Sequence, residues 1–359
     1  MEDLAGAWLV PGFVDIHVHG GGGASMTGGD AAQILEAAQF HRRHGTTHLL
    51  VSQVTAGLDT MLAGCAAVAG LVEGGARGIV GGHLEGPFLS RRRRGAQDPD
   101  SLLPVEPEVL ERLLSAGRGT VRMVTVAPEL PGAPALIARL VAEGVVAALG
   151  HTDASYAEAV AGFRAGARVA THLFNGMPPL HHRDPGPVAA ALERPGVVCE
   201  LINDGFHVAP AIVRLVAAAA GPDRVAFITD AIAAAGMGDG DYELGRLPVR
   251  VAGGLATLVD GGNIAGSTLT MDRAFQRAVL EVGLRMEDAV RMASTTPARV
   301  LGLEGRVGTI RPGQDADLVV LDDGLEVTAV MAAGDWVPGV NRGPVTAPTA
   351  RERPGASQH

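Results

Sequence analysis

Short apolar runs alternate with helical stretches along most of this chain, and there are eight such runs between residues 13 and 229. Most of them are continuous and not alternating, which is typical of strands buried on both faces of a parallel sheet. The stretches between them are rich in Ala, Leu, Glu and Arg at helical spacing. Eight strand–helix units favour a closed α/β (β/α)8 TIM-like barrel over a doubly wound open sheet, which has the same local pattern. The predicted strands are Phe13–His19, Thr47–Gln53, Gly78–Leu84, Val121–Ala127, Val145–Gly150, Arg168–Leu173, Val197–Asn203 and Val225–Thr229, and the clearest helices are Ala31–His44, Pro107–Ser115, Ala133–Glu143 and Tyr156–Ala165.

The character of the sequence changes after the eighth unit. Ala252–Leu258, Asp315–Asp322 and Glu326–Ala332 are predicted strands of a small separate β layer, and two helices, Met271–Val282 and Met286–Met292, lie between them. The residues from 338 onward are rich in Pro, Gly, Ser, Thr and Arg, which favours disorder. We therefore expect a barrel over 9–300, a small β domain over 301–337 and a disordered tail over 338–359.

Composition removes several classes of function. The chain contains no lysine, which excludes Schiff-base chemistry, a Walker-type phosphate loop and a carboxylated-lysine metal bridge. Its formal charge of −10 argues against a nucleic-acid partner, and an aromatic content of 3% argues against a stacking platform for bases or polysaccharide. The arginine run Arg91–Arg94 is expected to be a solvated loop.

We expect a cytoplasmic protein. The two cysteines, Cys65 and Cys199, have no paired or CxxC spacing, as in proteins of a reducing compartment. The acidic start of the sequence has no signal-peptide pattern, and no apolar run is long enough to span a membrane, so no membrane partner is expected.

Metal-binding side chains recur at the carboxyl ends of the predicted strands. His17 and His19 are two residues apart on the first strand, so both imidazoles point to the same side and could share one ion. One such histidine is usually structural, but several at one end of a barrel, where barrel enzymes have their active sites, predict a metal centre. The full set is His17, His19, Glu85, His151, His172, His207 and Asp230.

These ligand types indicate hydrolytic chemistry. His, Glu and Asp without Cys suit Zn²⁺ or Fe²⁺, and such an ion makes hydroxide available near neutral pH and polarises a carbonyl. Asp230 is then placed to take a proton from the attacking water and to deliver it to a leaving amine. Amide hydrolysis is the reaction that these parts predict.

The segment around the first histidine pair, Pro11–Gly20, resembles the opening motif of the amidohydrolase superfamily. Further segments resemble N-acetylglucosamine-6-phosphate deacetylases in particular, and the resemblance runs from about residue 9 to residue 322. Their combination is specific, whereas any single motif is weak. These segments are His83–Phe88, Gly150–Thr152, Thr171–Met177, His181–Gly186, Asp204–His207, Thr229–Ala231 with Ala235–Met237, and Gly266–Met271.

The resemblance implies removal of the acetyl group from N-acetyl-D-glucosamine 6-phosphate, which gives glucosamine 6-phosphate and acetate. It implies one or two divalent ions per subunit, Zn or Fe, with Glu85, His151 and His172 as primary ligands. His17 and His19 would serve a second ion in those members that bind two. As the acid/base the family would use Asp230.

The resemblance also implies a sugar-phosphate site and a homodimer, because Arg183 would reach the substrate in the neighbouring subunit. A guanidinium and an imidazole make a good phosphate clamp, and the Arg91–Arg94 loop could act as a lid over it. The substrate contacts implied are Ala96, Gln97, Asn175, Gly176, Arg183, Asp204, His207, Ala265, Gly266 and Ser267.

Two features depart from the family pattern. The family usually has a histidine twelve residues after the ligand glutamate as a substrate contact, and this chain has Gln97 there, which can hydrogen bond but carries no charge. Relatives also carry about fifty residues before the first strand that form half of a small β-sandwich. We expect that layer to be truncated at its N-terminal side, with a misassigned gene start as the favoured explanation.

Two alternative functions remain open from the sequence. A dihydroorotase- or hydantoinase-like ring opener would share His17 and His19, but many such enzymes bridge two ions with a carboxylated lysine that this chain lacks. A non-catalytic sugar-phosphate-binding barrel would keep the pocket without the chemistry. It would be expected to lack a ligand or Asp230, and all of these are present.

Overall fold

In the computed structural model, which describes residues 6–340, the largest sheet contains eight parallel strands in sequence order. Two backbone hydrogen bonds join its ends, from His19 N to Ala231 O and from Asp230 N to His17 O, both 2.8 Å long. The predicted TIM-like barrel is therefore confirmed. Its strands are β1 Phe13–Val18, β2 Thr46–Val54, β3 Ile79–Glu85, β4 Val121–Val126, β5 Val146–Leu149, β6 Val169–Ala170, β7 Val198–Ile202 and β8 Val225–Ile228.

Helices cover the outside of this barrel. Asp30 caps the first by accepting hydrogen bonds from the amides of Ala32 and Gln33, and Ser155 begins another with a capping box completed by Glu158. A π-helical turn at Arg291–Thr295 joins the last two. The α-helices are Ala31–Arg43, Leu58–Glu73, Pro107–Gly117, Ala133–Ala142, Tyr156–Arg164, Gly186–Leu192, Pro210–Ala220, Met271–Leu280, Met286–Val290 and Thr296–Val300, with 3₁₀ turns at Arg91–Arg93 and Pro222–Arg224.

Burial explains why the strands have continuous apolar sequences. Every residue of β1, β5, β7 and β8 is buried, since side chains on one face fill the barrel and those on the other meet the helices. Phe13, Phe227 and Phe275 are among the largest side chains with no exposure. Polar groups on these strands must therefore be held by one another or by ligands.

Three smaller sheets lie outside the barrel. The four-stranded antiparallel sheet runs Trp8–Pro11, Leu318–Leu321, Val327–Ala332 and Asp335–Trp336, so it contains an N-terminal strand that the sequence analysis did not assign. The prediction that Ala252–Leu258 joins this layer is wrong, because its residues belong to a separate three-stranded sheet. That sheet consists of Gly240–Leu244, Leu247–Ala252 and Leu255–Leu258, and the two-stranded sheet pairs Gly20–Gly21 with Ala24–Ser25.

Other expectations remain as they were. The domain bounds at 9–300 and 301–337 stay a prediction, and most of the predicted tail, residues 341–359, lies outside the described residues. Within residues 6–340, no helix combines the length and the apolar character that crossing a bilayer requires.

Candidate active site

The carboxyl ends of the barrel strands bring the predicted ligands together. Six of these side chains form two groups, within each of which the ligand atoms lie within 4.8 Å of one another. We call them the His17 cluster, made of His17, His19 and Asp230, and the Glu85 cluster, made of Glu85, His151 and His172. All six residues are buried, so neither cluster is a chance meeting of exposed side chains.

The His17 cluster forms where β1 meets the end of β8. The Nε2 atoms of His17 and His19 are 3.1 Å apart, because residues two apart on a strand point the same way. Asp230 Oδ1 lies 3.1 Å from His19 Nε2 and 3.5 Å from His17 Nε2. Three ligand atoms therefore converge on one point.

In the Glu85 cluster one ligand ends β3 and the other two follow the ends of β5 and β6. Oε1 of Glu85, the last residue of β3, lies 3.0 Å from Nε2 of His151 and 3.0 Å from Nε2 of His172. The other carboxylate oxygen, Oε2, lies 3.3 Å from His19 Nε2. The Glu85 carboxylate therefore lies between the two clusters and contacts both.

Hydrogen bonds at the opposite ring nitrogens indicate which nitrogen of each histidine is free to bind a metal. Nδ1 of His17 faces Glu200 Oε2 at 3.2 Å, Nδ1 of His19 faces the Ser52 carbonyl at 3.1 Å, and Nδ1 of His151 faces the Arg93 carbonyl at 2.8 Å. Because these oxygens are acceptors, each Nδ1 carries the proton and each Nε2 presents a lone pair. In these three histidines Nε2 is thus the atom that can bind a metal, whereas Nδ1 of His172 is buried without a hydrogen-bond partner among the described residues.

Convergent lone pairs repel one another unless a cation lies between them. The Nε2 atoms of His151 and His172 are also 3.1 Å apart. Two ligands of a tetrahedral ion with bonds of about 2.0–2.1 Å are separated by about 3.3 Å. The donor set and its spacing therefore fit a divalent metal ion in each cluster.

The pKa values of the cluster residues also favour a cation at the site. Burial alone would lower the pKa of His17, but the carboxylates of Glu85 and Asp230 outweigh it and raise that pKa well above its usual value. Burial opposes ionisation of Glu85, yet His17 and His151 hold its pKa well below the usual range. The carboxylates therefore favour positive charge at this place, and a bound cation would supply it by replacing the proton on Nε2.

Strained backbone turns three of the side chains inward. His151, His172 and Asp230 have φ angles of 44°, 26° and 50°, values that are uncommon for residues other than glycine. The prediction that His172 lies within the sixth strand is wrong, because β6 ends at Ala170. The chain leaves the sheet early there, and the bend directs His172 to the cluster.

A cavity of about 300 Å³ opens above the two clusters. Several residues with a predicted role in substrate binding line it, and the metal-cluster residues form part of its floor. The arginine loop contributes Arg92 and Arg93, and both guanidiniums pair with Asp153, at 2.5 and 2.7 Å. The predicted residues among its lining are His19, Glu85, Ala96, Gln97, His151, His172, Asn175, Gly176, His207, Asp230 and Gly266.

Two predicted substrate residues have other partners. Asp204 Oδ2 lies 2.7 Å from Nδ1 of His207, so Asp204 orients that imidazole, and this contact outweighs burial and lowers the pKa of Asp204. Gln97 donates from Nε2 to Glu85 Oε2 at 2.5 Å and accepts from the Thr55 amide at 2.7 Å. The Gln97 side chain thus contacts a metal-cluster residue directly.

Four of the predicted substrate residues are not part of the cavity lining within residues 6–340: Arg183, Asp204, Ala265 and Ser267. Arg183 is exposed, and its guanidinium lies 2.9 Å from the His182 ring. The hydroxyl of Ser267 donates to the Thr229 carbonyl at 2.6 Å, and the Ser267 amide donates to the Asp230 carbonyl at 2.8 Å. Ser267 therefore braces the backbone of Asp230.

Sequence reasoning missed the residues that support the ligands. Glu200 is fully buried on β7 and accepts both from His17 Nδ1 and from the His172 amide. Asp15 ties β1 to β8 by accepting a 2.5 Å hydrogen bond from the Thr229 hydroxyl, and burial raises its pKa to about 7. The only available signal was a charged residue within an otherwise apolar strand. The cavity residues that were not predicted are Gly95, Met177, Leu244, Asn263 and Ile264.

Comparisons with known proteins agree with this geometry. A family model described as "Amidohydrolase family" matches residues 8–337. The chain is 39% identical over 329 residues to an N-acetylgalactosamine-6-phosphate deacetylase of Escherichia coli O157:H7. The aligned region covers 91% of this chain and 86% of that protein. It is 35% identical to an N-acetylglucosamine-6-phosphate deacetylase of Bacillus subtilis (strain 168), over 91% of this chain and 84% of that protein.

A solved structure is similar as well. It is a mutant N-acetyl-D-glucosamine-6-phosphate deacetylase from Mycobacterium smegmatis in complex with N-acetyl-D-glucosamine-6-phosphate. The TM-score is 0.89 at 49% sequence identity, and the match covers 92% of this chain and 87% of that chain.

Proposed function

The chain belongs to the amidohydrolase family, and we propose that it hydrolyses the acetamide of N-acetyl-D-glucosamine 6-phosphate to give glucosamine 6-phosphate and acetate. It is a metal-dependent amide hydrolase. The observation that carries the proposal is the pair of ligand clusters joined by Glu85 at the floor of a cavity of about 300 Å³. That volume is typical of a small-molecule site.

Each cluster offers a place for one divalent ion, Zn or Fe. Glu85, His151 and His172 would hold the first, and His17 and His19 would hold a second with Asp230 beside them. When bound, such a cation acts as a Lewis acid toward the acetamide carbonyl and makes a hydroxide nucleophile available near neutral pH. The Glu85 carboxylate contacts residues of both clusters, so it would take the place that a carboxylated lysine has in related two-metal enzymes.

Asp230 is the proposed acid/base. Its side chain lines the cavity, and its Oδ1 is 3.1 Å from His19 Nε2, so the carboxylate lies beside the place where water must attack. It accepts a proton from the attacking water as the new C–O bond forms. It then donates that proton to the amine nitrogen as the C–N bond breaks, which balances the reaction.

Substrate recognition is assigned to the rim of the cavity. His207 is held by Asp204 through Nδ1, which leaves Nε2 to face a ligand, and Asn175 and Gly176 lie on the same cavity wall. Arg92 and Arg93 add positive charge that favours an anionic substrate. The other contacts proposed from the sequence are Ala96, Asn175, Gly176, Arg183, Asp204, His207, Ala265, Gly266 and Ser267, whereas the amide of Gln97 is occupied by Thr55 and Glu85.

A homodimer accounts for Arg183. This residue lies on an exposed segment and does not line the cavity of its own chain within residues 6–340. A guanidinium is well suited to bind phosphate in a bidentate manner. We assign it to the phosphate of the substrate bound by a second copy of the chain.

A cytoplasmic location is proposed on the state of the two cysteines. Both are free and buried, and burial raises the pKa of each thiol, Cys65 and Cys199, to about 12. Unpaired, unreactive thiols are typical of proteins from reducing compartments.

An acetate-release assay tests the proposed reaction. Purified protein with measured metal content is incubated with N-acetylglucosamine 6-phosphate, its galactosamine epimer, both unphosphorylated sugars and a cyclic amide such as dihydroorotate. We expect acetate from the 6-phosphates, fastest from the glucosamine compound. Ring opening without acetate release would favour the cyclic amidohydrolase. Binding of sugar phosphate by metal-loaded protein without turnover would favour a non-catalytic barrel.

Arg183→Ala tests the role across the dimer. We expect the KM for the phosphorylated sugar to rise while the KM for the unphosphorylated sugar stays the same. Mixed dimers of the Arg183→Ala chain with an Asp230→Asn chain should recover one active site that has both residues. Equal effects on both sugars, or no recovery in mixed dimers, would contradict the assignment.

A further inference from the structure

Gln97 stands where the family pattern implies a histidine that contacts the substrate, and its surroundings differ from those expected of a substrate contact. Only 3% of the residue is exposed, although it borders the cavity. Both ends of its amide have partners in the protein: Oε1 accepts from the Thr55 amide at 2.7 Å, and Nε2 donates to Glu85 Oε2 at 2.5 Å. Little of the side chain is left to contact a sugar.

The orientation of this amide is determined by its partners. If the amide were flipped, Nε2 would face the Thr55 N–H and Oε1 would face the Glu85 carboxylate, so both contacts would become repulsive. Thr55 itself follows directly after β2, and its hydroxyl donates to the Glu85 carbonyl at 2.8 Å. Gln97 therefore connects the end of β2 to the carboxylate at the end of β3 with one permitted geometry.

Glu85 needs such a partner. The last torsion of a glutamate side chain is broad, so nothing in the residue itself fixes the plane of its carboxylate. Oε1 is already engaged by His151 and His172, and the remaining freedom is rotation that moves Oε2. Gln97 holds Oε2 at the position where it lies 3.3 Å from His19 Nε2.

We propose that Gln97 is a positioning residue, which fixes the Glu85 carboxylate so that it joins the two clusters and supports a second cation at the His17 cluster. This inference rests on the proposed metal-dependent function, but it concerns metal stoichiometry and not turnover. It assigns Gln97 to the metal centre in place of a direct contact with the sugar. Removing the amide should weaken the His17 cluster more than the Glu85 cluster, because the latter keeps Oε1 and both of its imidazoles.

The test is a cation titration of metal-free protein with Zn²⁺ or Co²⁺, followed by equilibrium dialysis and visible absorption of the Co²⁺ form. We expect two equivalents in the native protein. In Gln97→Met the first should bind nearly as before, and the second should bind about 10–100-fold more weakly, as is typical when a partner of a metal ligand is removed. With substrate, kcat should fall while KM changes little.

Gln97→Glu is the second variant, in case Gln97→Met does not fold. It keeps an acceptor for the Thr55 amide but replaces the donor to Glu85 with a carboxylate, so it should lose the second equivalent as well. The matched control is Gln53→Met, since Gln53 is a buried glutamine on β2 that packs against Gly64 of a helix and not against a ligand. It should bind two equivalents like the native chain.

The outcomes separate the two proposals. One equivalent in the native protein, an unchanged second equivalent in both Gln97 variants, or a change in KM alone would overturn the positioning role. Native protein that binds two cations and loses one through Gln97→Met, yet releases no acetate, would leave this inference standing and remove the proposed function.

Discussion

The two metal clusters lie side by side, but the protein supports them in different ways. Ligands of the His17 cluster are held by the barrel strands themselves: His17 by Glu200 on β7, and His19 by the carbonyl of Ser52 on β2. Asp15 adds a link between β1 and β8 directly beneath them. These supports are all strand residues buried in the barrel, whereas the third ligand, Asp230, follows β8 and has its backbone braced by Ser267.

The Glu85 cluster depends on a loop. Between Ser90 and Asp98 the chain provides the Arg93 carbonyl for His151 and the Gln97 amide for Glu85. The loop is in turn anchored at Asp98, which accepts from Arg246 of the three-stranded sheet at 2.7 Å. A metal site supported by a loop can be adjusted without altering the barrel, whereas one built into strands cannot.

Glu85→Ala should have the largest effect, since Glu85 contacts residues of both metal clusters. Its carboxylate contacts His151 and His172 through one oxygen and His19 through the other. We expect both cations to bind poorly and kcat/KM to fall by about 10³-fold or more, because a catalytic cation supplies several kcal/mol. Metal analysis together with acetate release measures this. Retention of both cations by folded protein would mean that Glu85 does not join the clusters.

Asp230→Asn should separate catalysis from metal binding. The amide keeps the shape and one oxygen near His19, but it cannot take a proton from water. We expect kcat to fall by about 10²–10⁴-fold with cation content unchanged. Turnover at close to the native rate would remove Asp230 from the mechanism.

Glu200→Gln probes the rigid support of the His17 cluster. Glu200 accepts from His17 Nδ1 and from the His172 amide through the same oxygen, so a glutamine can keep both contacts but loses the negative charge that favours a proton on His17 Nδ1. The loss of this charge should weaken cation binding at the His17 cluster and activity by about 10–100-fold. Gln97→Met should lower the number of bound cations in the same way, although Gln97 lies on the loop and Glu200 on a barrel strand. A Glu200→Gln protein with native cation affinity would show that strand packing alone orients His17.

The same contrast explains what the sequence could predict. His17 and His19 share one side of a strand, so their meeting follows from spacing alone, and the strand ends placed Glu85, His151 and Asp230 at the same mouth. The supports were not predictable, because Gln97 and its partners are brought together by the loop fold. The early end of β6 was missed for a similar reason: the positive φ of His172 depends on tertiary contacts and has no sequence signal.

Only one strand of the three-stranded sheet was predicted from the sequence, Ala252–Leu258, and it was placed in the wrong layer. In this sheet, the strand Leu255–Leu258 has the alternating burial expected of a half-exposed sheet, whereas the C-terminal strand Val327–Ala332 does not, and neither pattern says which strands pair. Pairing is decided by the short turns that connect it to Leu247–Ala252 and Gly240–Leu244. The consequence is functional, because this sheet carries the anchor of the arginine loop.

Arg246→Ala should have the smallest effect and would sharpen the comparison most. The Arg246 guanidinium is exposed and pairs with Asp98 and Asp100, so high solvent screening limits its contribution to overall stability. The loop provides the Arg93 carbonyl for His151 and the Gln97 amide for the Glu85 oxygen that faces His19, so loosening it should nonetheless weaken cation binding severalfold at both clusters. Arg250→Ala is the matched control, since Arg250 pairs with Asp241 within the same sheet and does not touch the loop. If the Co²⁺ titrations of the two variants coincide, the contact between Arg246 and Asp98 does not contribute to metal binding. The loop would then support the ligands through Gln97 and Arg93 alone.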